Sequence, residues 1–176
     1  MAATWRTRSG GSICLRRVTV VVIPIEPNLA HEEHAMATPD ELRTAIADGR
    51  AVFRAAIEAA AANWERRPPP SGSEEAWSAR QAAEHTIASE VWFASEVCKA
   101  CGYPGLDPIE PSYPSAAEAA QAFGEVSAKC DGRLKYVTEK DLAMPHAELG
   151  TVAEIMRYNA QHLLEHAAQM RAAAGA

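Results

Sequence analysis

The chain has 176 residues, 48% of them hydrophobic, and a formal net charge of −6 at pH 7. This length fits one ordinary domain with a core of its own. Since no basic stripe is present to neutralise phosphates, we expect no nucleic-acid partner. Much of the hydrophobic fraction is alanine, the best helix former, which predicts an all-α fold.

The first 35 residues differ from the rest of the chain. Four arginines precede a β-branched run at 18–25, which is too short to span a bilayer and is interrupted by a proline. No clean cleavage site follows, so we expect neither an export signal nor a membrane anchor. We interpret 1–35 as an extension, either disordered or upstream of a true start at Met36; one weak strand is the remaining alternative. His31 and His34 are discounted as ligands for the same reason.

From Met36 onward, regular helix-start signals divide the chain into four segments. Each segment opens with Ser or Thr, followed three residues later by Glu or Gln, which is the capping-box pattern of a helix N-terminus. Apolar residues at helical spacing follow, and proline-containing stretches separate the segments. The N-caps Thr38, Ser78, Ser115 and Thr151 open predicted helices over 39–66, 78–101, 115–138 and 151–173. We therefore predict that 36–176 is a four-helix bundle.

The second connection, 102–114, bears on helix direction. Its 13 residues can stretch to about 40 Å, and a helix of this size is about 35 Å long. The connection can therefore return along the bundle, which would make helices two and three parallel. Helix four would then run antiparallel to helix two.

Two histidines in the last predicted helix suggest a metal site. His162 and His166 are four residues apart, so they share one helix face, although this spacing alone is also common on solvated faces. His85 lies about 10 Å into helix two and reaches a similar level if helices two and four are antiparallel. Three imidazoles leave a coordination position open, which is typical of catalytic zinc sites. Imidazole also suits nickel, copper and iron, so the residues do not name the metal.

Other side chains near this pattern are weaker candidates. Tyr158, one turn before His162, either places its hydroxyl near the open position or is a core tyrosine with its hydroxyl at the rim. Glu84, Gln161 and Glu165 are near in sequence and are candidates for orienting the rings.

Three further residues are interpreted as structural. Cys98 and Cys101 form a single C-x-x-C at a helix end, where the helix dipole raises a thiol pKa, so we interpret them as packing residues. His146 is expected to be an exposed loop histidine. The four cysteines, without an export signal, are typical of reduced thiols in a cytoplasm.

Together these motifs resemble the DinB-like superfamily. The resemblance rests on Trp77 and Ser78 opening helix two, a histidine further along it and the His-x-x-x-His of helix four, and it covers roughly 38–173. It implies an up-down-down-up bundle with a long crossover between helices two and three. It also implies a divalent metal held by a histidine of helix two and two ligands of helix four. By position these metal ligands are His85, His162 and His166.

The superfamily includes bacterial damage-inducible proteins, mycothiol-dependent maleylpyruvate isomerases and bacillithiol S-transferases. The resemblance therefore implies a homodimer. It also implies a metal, zinc or nickel, that activates a low-molecular-weight thiol. We expect a metal-dependent transferase, isomerase or hydrolase acting on a small-molecule substrate, with Tyr158 as the candidate catalytic side chain. The alternatives are a non-catalytic, stress-associated metal-binding protein and a helical interaction module without metal.

Overall fold

The computed structural model describes residues 37–68 and 76–175. Within these ranges the chain is mainly helical, as its composition predicts. The predictions made for 1–35, including His31 and His34, lie outside the described residues. The helices are α1 (Pro39–Ala59), α2 (Ala79–Ala100), α3 (Ala116–Leu134) and α4 (Val152–Ala174), with 3-10 turns at Ala61–Asn63 and Asp141–Ala143 and an antiparallel pair of two-residue strands, β1 (Pro145–His146) and β2 (Gly150–Thr151).

The four predicted helix starts are confirmed by their capping hydrogen bonds. At each start the N-cap hydroxyl accepts from the backbone N–H three residues later. At Thr38, Ser78 and Thr151 the Glu or Gln side chain accepts from the cap backbone in return, which completes the capping box. At Ser115 the capping box is incomplete, because Glu118 accepts from the cap hydroxyl but not from the cap backbone N–H. The caps therefore set where each helix begins.

Two predicted helix ends are wrong. Helix α1 ends at Ala59 rather than at 66, and a 3-10 turn lets the Asn63 side chain donate to the backbone oxygen of Ala174. Helix α3 ends at Leu134 rather than at 138. There the guanidinium of Arg43 donates to the Leu134 and Val137 oxygens, so these carbonyls need no further helical turn.

Apolar side chains from all four helices form one core. Helix α1 packs on α3 and α4, and α2 packs on α3 and α4. Phe53 and Phe123 meet edge to face with ring centroids 4.9 Å apart, joining α1 to α3. None of the described helices combines the length and apolar character needed to cross a membrane.

Helices α1 and α4 approach closely at a glycine. A Cβ at Gly49 would lie 3.1 Å from the Ala160 oxygen and 3.3 Å from the Leu163 Cβ. The missing side chain therefore lets the middle of α4 rest on α1. Because Ala160 and Leu163 flank His162 in sequence, this contact fixes the segment that carries the first histidine of α4.

Candidate metal centre

Helices α2 and α4 bring the three predicted ligands together. The Nε2 atom of His162 lies 3.1 Å from that of His85 and 3.1 Å from that of His166. One nitrogen from each of the three rings lies within 4.8 Å of the others. The pairing expected from matched levels in α2 and α4 is therefore observed.

The local structure explains why the rings converge. His162 and His166 are one helical turn apart on α4, and their ring centroids are separated by 4.3 Å. His85 lies across from both, with centroid distances of 5.1 Å to His162 and 4.9 Å to His166. Phe93, two turns further along α2, packs its ring edge against His162. The histidine face of α4 is thus held against α2 rather than facing solvent.

Hydrogen bonds between the rings do not satisfy all of their nitrogens. If the His162 Nε2 atom accepts from a neighbour, its proton must be on Nδ1, which is buried and has no hydrogen-bond partner. One cation would engage the Nε2 lone pairs of all three rings at once, and the Nδ1–H of His162 would still need an acceptor. Nitrogens that bind one zinc ion at about 2.0–2.1 Å cannot lie more than about 4.2 Å apart, and the two 3.1 Å separations meet this limit. The residues therefore fit a divalent ion.

Burial keeps the three imidazoles neutral. Burial and the nearby charge of His166 lower the pKa of His85 to about 4. Burial, with the charges of His166 and His85, lowers the pKa of His162 to about 3. Burial also lowers the pKa of His166, against the opposing effects of Gln169 and Glu165. At neutral pH all three rings are therefore neutral imidazoles, the form that metal coordination requires.

Aromatic rings surround the site. The Trp77 ring stacks on His166 with centroids 6.0 Å apart and planes 10° apart. It also meets His85 edge to face at 5.0 Å. The structure places this half-buried ring against the histidine cluster. An apolar wall of this kind limits water around the nitrogens and strengthens electrostatic interactions there.

Two polar side chains at the site were not singled out from the sequence. Gln169 Oε1 lies 2.6 Å from the His166 Nδ1 atom. Ser89 Oγ lies 3.5 Å from the His85 Nε2 atom and donates to the His85 backbone oxygen at 2.9 Å. Both follow their histidine by three or four residues, the spacing that places two side chains on one helix face. That spacing was the available signal.

The side chains suggested as ring-orienting groups make other hydrogen bonds. Glu84 accepts from Arg80 and from the backbone N–H of Tyr113. Gln161 donates to Glu165 on the exposed side of α4. The suggestion that these carboxylates and this amide orient the rings is therefore not supported by their contacts.

Tyr158 is half exposed, with 50% of its surface accessible.

The cysteine interpretation agrees with the structure. Cys98 and Cys130 are buried as free thiols. Burial raises the pKa of Cys98, that of Cys101 to about 11 and that of Cys130 to about 12. Thiols with such values are protonated at neutral pH and are poor nucleophiles.

His146 is not the exposed loop residue that was expected. Its Nδ1 atom accepts from the backbone N–H groups of Glu148 and Leu149, so Nε2 carries the proton. Nε2 lies 3.0 Å from Glu96 Oε2, and both side chains are about 15% exposed or less. The ring therefore ties the β1–β2 hairpin to α2 instead of joining the three-histidine cluster.

Comparison with known proteins agrees with this architecture. The model of the DinB superfamily matches residues 45–170, a segment that includes all three clustered histidines. The chain therefore belongs to the DinB superfamily. No curated protein and no solved structure gives a significant match to it.

Proposed function

We propose that this member of the DinB superfamily binds one divalent metal ion through the Nε2 atoms of His85, His162 and His166. The observation that carries the proposal is the convergence of three neutral imidazole nitrogens, with the His162 nitrogen 3.1 Å from each of the other two. Three protein nitrogens leave a coordination position open. Zinc and nickel are the proposed ions because both accept imidazole ligands.

We also propose a metal-dependent enzyme, a transferase, isomerase or hydrolase that acts on a small molecule. A divalent ion held at this site would lower the pKa of a thiol or water at its open position enough to make a nucleophile near neutral pH. The three thiols among the described residues are protonated at that pH, so a low-molecular-weight thiol is the proposed cofactor. The Tyr158 side chain is half exposed, and its hydroxyl remains the candidate catalytic group.

One observation favours a second candidate function. Among the described residues, the side chains in hydrogen-bond or ring contact with the three imidazoles include Trp77, Phe93, Ser89 and Gln169. None of these four groups exchanges protons readily near pH 7. That set suits a non-catalytic, stress-associated metal-binding protein as well as an enzyme. A helical interaction module without metal is the third alternative.

We also propose that the four helices run up, down, down and up in chain order. His85 meets His166 while Phe93 meets His162, so residue numbers run in opposite directions along α2 and α4. Arg43 near the start of α1 reaches Leu134 at the end of α3, which supports an antiparallel α1 and α3. The long 102–114 connection then crosses over between α2 and α3.

The oligomeric state and the location are proposed from the family and from composition. A homodimer predicts a mass of about twice 18.9 kDa in light scattering of the purified protein. A cytoplasmic location predicts recovery in the soluble fraction after gentle lysis, with the cysteines reduced. Neither nucleic acid nor a membrane is a proposed partner.

Metal content tests the first proposal directly. The full chain, purified without chelator, should retain about one divalent ion per chain, as expected of a single site. His85→Ala and His162→Ala should each lose most of it. His146→Ala is the matched control, because this histidine lies outside the cluster and should leave the metal content unchanged. Equal and negligible metal in all four proteins would leave the interaction module as the remaining function.

Activity separates the enzyme from the binder. Metal-loaded protein is incubated with a panel of electrophiles and bacterial low-molecular-weight thiols, and conjugate formation is followed by mass spectrometry. Metal-dependent conjugation that falls in Tyr158→Phe supports the enzyme and the role of the hydroxyl. Absence of turnover across the panel, with metal retained, favours the non-catalytic metal-binding protein.

A further inference from the structure

Helix α4 carries two amide side chains at matched distances from its two histidines. Asn159 lies three residues before His162, and Gln169 lies three residues after His166. Residues three apart share a helix face, so each amide is on the same side of α4 as its own histidine. The pattern Asn-x-x-His-x-x-x-His-x-x-Gln therefore brackets the proposed metal ligands.

Gln169 fixes the tautomer of His166. Its Oε1 atom lies 2.6 Å from the His166 Nδ1 atom, and a carbonyl oxygen can only accept a hydrogen bond. The proton must therefore be on Nδ1, which leaves Nε2 with a lone pair. That Nε2 atom is the one lying 3.1 Å from His162.

Asn159 offers the corresponding acceptor to His162. Its side chain is almost fully buried, with 2% of its surface exposed, and its Oδ1 atom has no hydrogen-bond partner among the described residues. The His162 Nδ1 atom is also buried and unpartnered. A small side-chain rotation or one bridging water would join this unpaired donor and acceptor, which belong to residues one helical turn apart.

We infer that Asn159 and Gln169 are positioning residues that hold His162 and His166 as Nδ1–H tautomers, so that both Nε2 lone pairs are directed at the ion. The inference rests on the proposed metal site. Groups that orient metal-bound histidines in this way typically change metal affinity about 10–100-fold when removed. The amides do not touch the ion; they act through the rings.

Zinc affinity of the full-length protein, measured by chelator competition, tests the inference. Gln169→Leu and Asn159→Leu remove the acceptors and should each weaken binding by about 10–100-fold. Gln169→Glu and Asn159→Asp keep an acceptor oxygen and should restore affinity to within a few-fold of wild type. Gln161→Leu is the matched control, because this amide on the same helix bonds to exposed Glu165. Leucine variants that are folded and bind zinc as tightly as Gln161→Leu would overturn the inference.

The tautomers provide a readout that does not need metal. Long-range ¹H–¹⁵N spectra of the metal-free wild type should show the proton of His166 on Nδ1, and Gln169→Leu should shift the population towards Nε2–H. A wild type that binds no zinc but keeps the Nδ1–H form overturns the proposed metal function while supporting the positioning by Gln169. An Nε2–H form of His166 in the wild type overturns the positioning inference, whatever the metal content. If Asn159→Leu does not fold, the wild-type spectra still test Asn159, because an Nε2–H form of His162 overturns its part of the inference.

Discussion

The Nε2 atoms of His85 and His162 lie 3.1 Å apart, although 77 positions separate the two residues in the sequence. One histidine comes from α2 and the other from α4, so this pair exists only when the two helices are packed together. In the unfolded chain the ligands are dispersed, and a bound ion favours the folded state alone. Metal binding and folding should therefore be coupled.

Removing the ion should lower the melting temperature. At free zinc of 100 times the dissociation constant, binding contributes about 2.7 kcal/mol, or roughly 5–11 °C for a chain of this size. Differential scanning fluorimetry with and without a chelator measures the shift. His85→Ala, which lacks one ligand, should show almost no response to chelator, and an unresponsive wild type would contradict the coupling.

The stability of the metal-free protein should fall as the pH drops below that at which free histidine titrates. The pKa of His85 is about 4 and that of His162 about 3, both below the usual value of 6.5. The unfolded chain therefore takes up protons first, and the stability contributed by these neutral rings is complete above pH 6.5. It is lost progressively as the pH falls from about 6.5 towards 4 and then 3.

Urea unfolding of metal-free protein at pH 7 and pH 5 measures this loss. The double variant His85→Gln/His162→Gln should lose less stability between the two pH values than the wild type. Carboxylates titrate in both proteins, so the difference between them isolates the two rings. An identical loss would show that the imidazoles are hydrated and not buried as the structure places them.

Two helical glycines should respond to alanine in opposite directions. At Gly49 an added Cβ would meet the Ala160 oxygen at 3.1 Å and the fully buried Leu163 at 3.3 Å, and neither neighbour can move freely. We expect Gly49→Ala to destabilise by about 1–3 kcal/mol. At Gly132 nothing lies within 4 Å, so alanine should stabilise α3 by up to about 1 kcal/mol. Chemical denaturation of both variants measures the signs, and a stabilising Gly49→Ala would show that α1 and α4 are packed less closely.

Much of this architecture is encoded locally. Hydroxyl caps such as Thr38 and Thr151 set the helix starts, because the bonds that they make reach only three residues along the chain. The pairing of His162 with His166 follows from helix geometry in the same way. His85 required an additional argument about helix direction, which connection length supplied.

Long-range contacts were not predictable from the sequence. The early end of α1 depends on Asn63 bonding to Ala174, and the burial of His146 depends on Glu96. Each contact joins residues that become neighbours only after the helices have packed. The amide of Gln169 has the correct spacing, but which ring nitrogen of His166 it would contact depended on where the ring points.

A buried ion pair away from the metal centre should be the most sensitive electrostatic element of the core. The Arg50 guanidinium on α1 is 8% exposed and donates from two nitrogens to one oxygen of Glu90 on α2, which is 1% exposed. Although burial alone lowers the pKa of Arg50, Glu90 and Asp131 raise it, so the guanidinium remains charged. Arg50→Met should leave a buried carboxylate without its partner and cost about 3–5 kcal/mol.

Two further variants separate the charge from its surroundings. Asp131 also contacts Arg50, but its side chain is 61% exposed, so Asp131→Asn should cost less than about 1 kcal/mol. The double variant Arg50→Met/Glu90→Leu removes both buried charges and should recover much of the loss seen in Arg50→Met. Urea unfolding measures all three. If the double variant is no more stable than Arg50→Met, the loss comes from packing of the arginine side chain and not from the unpaired charge of Glu90.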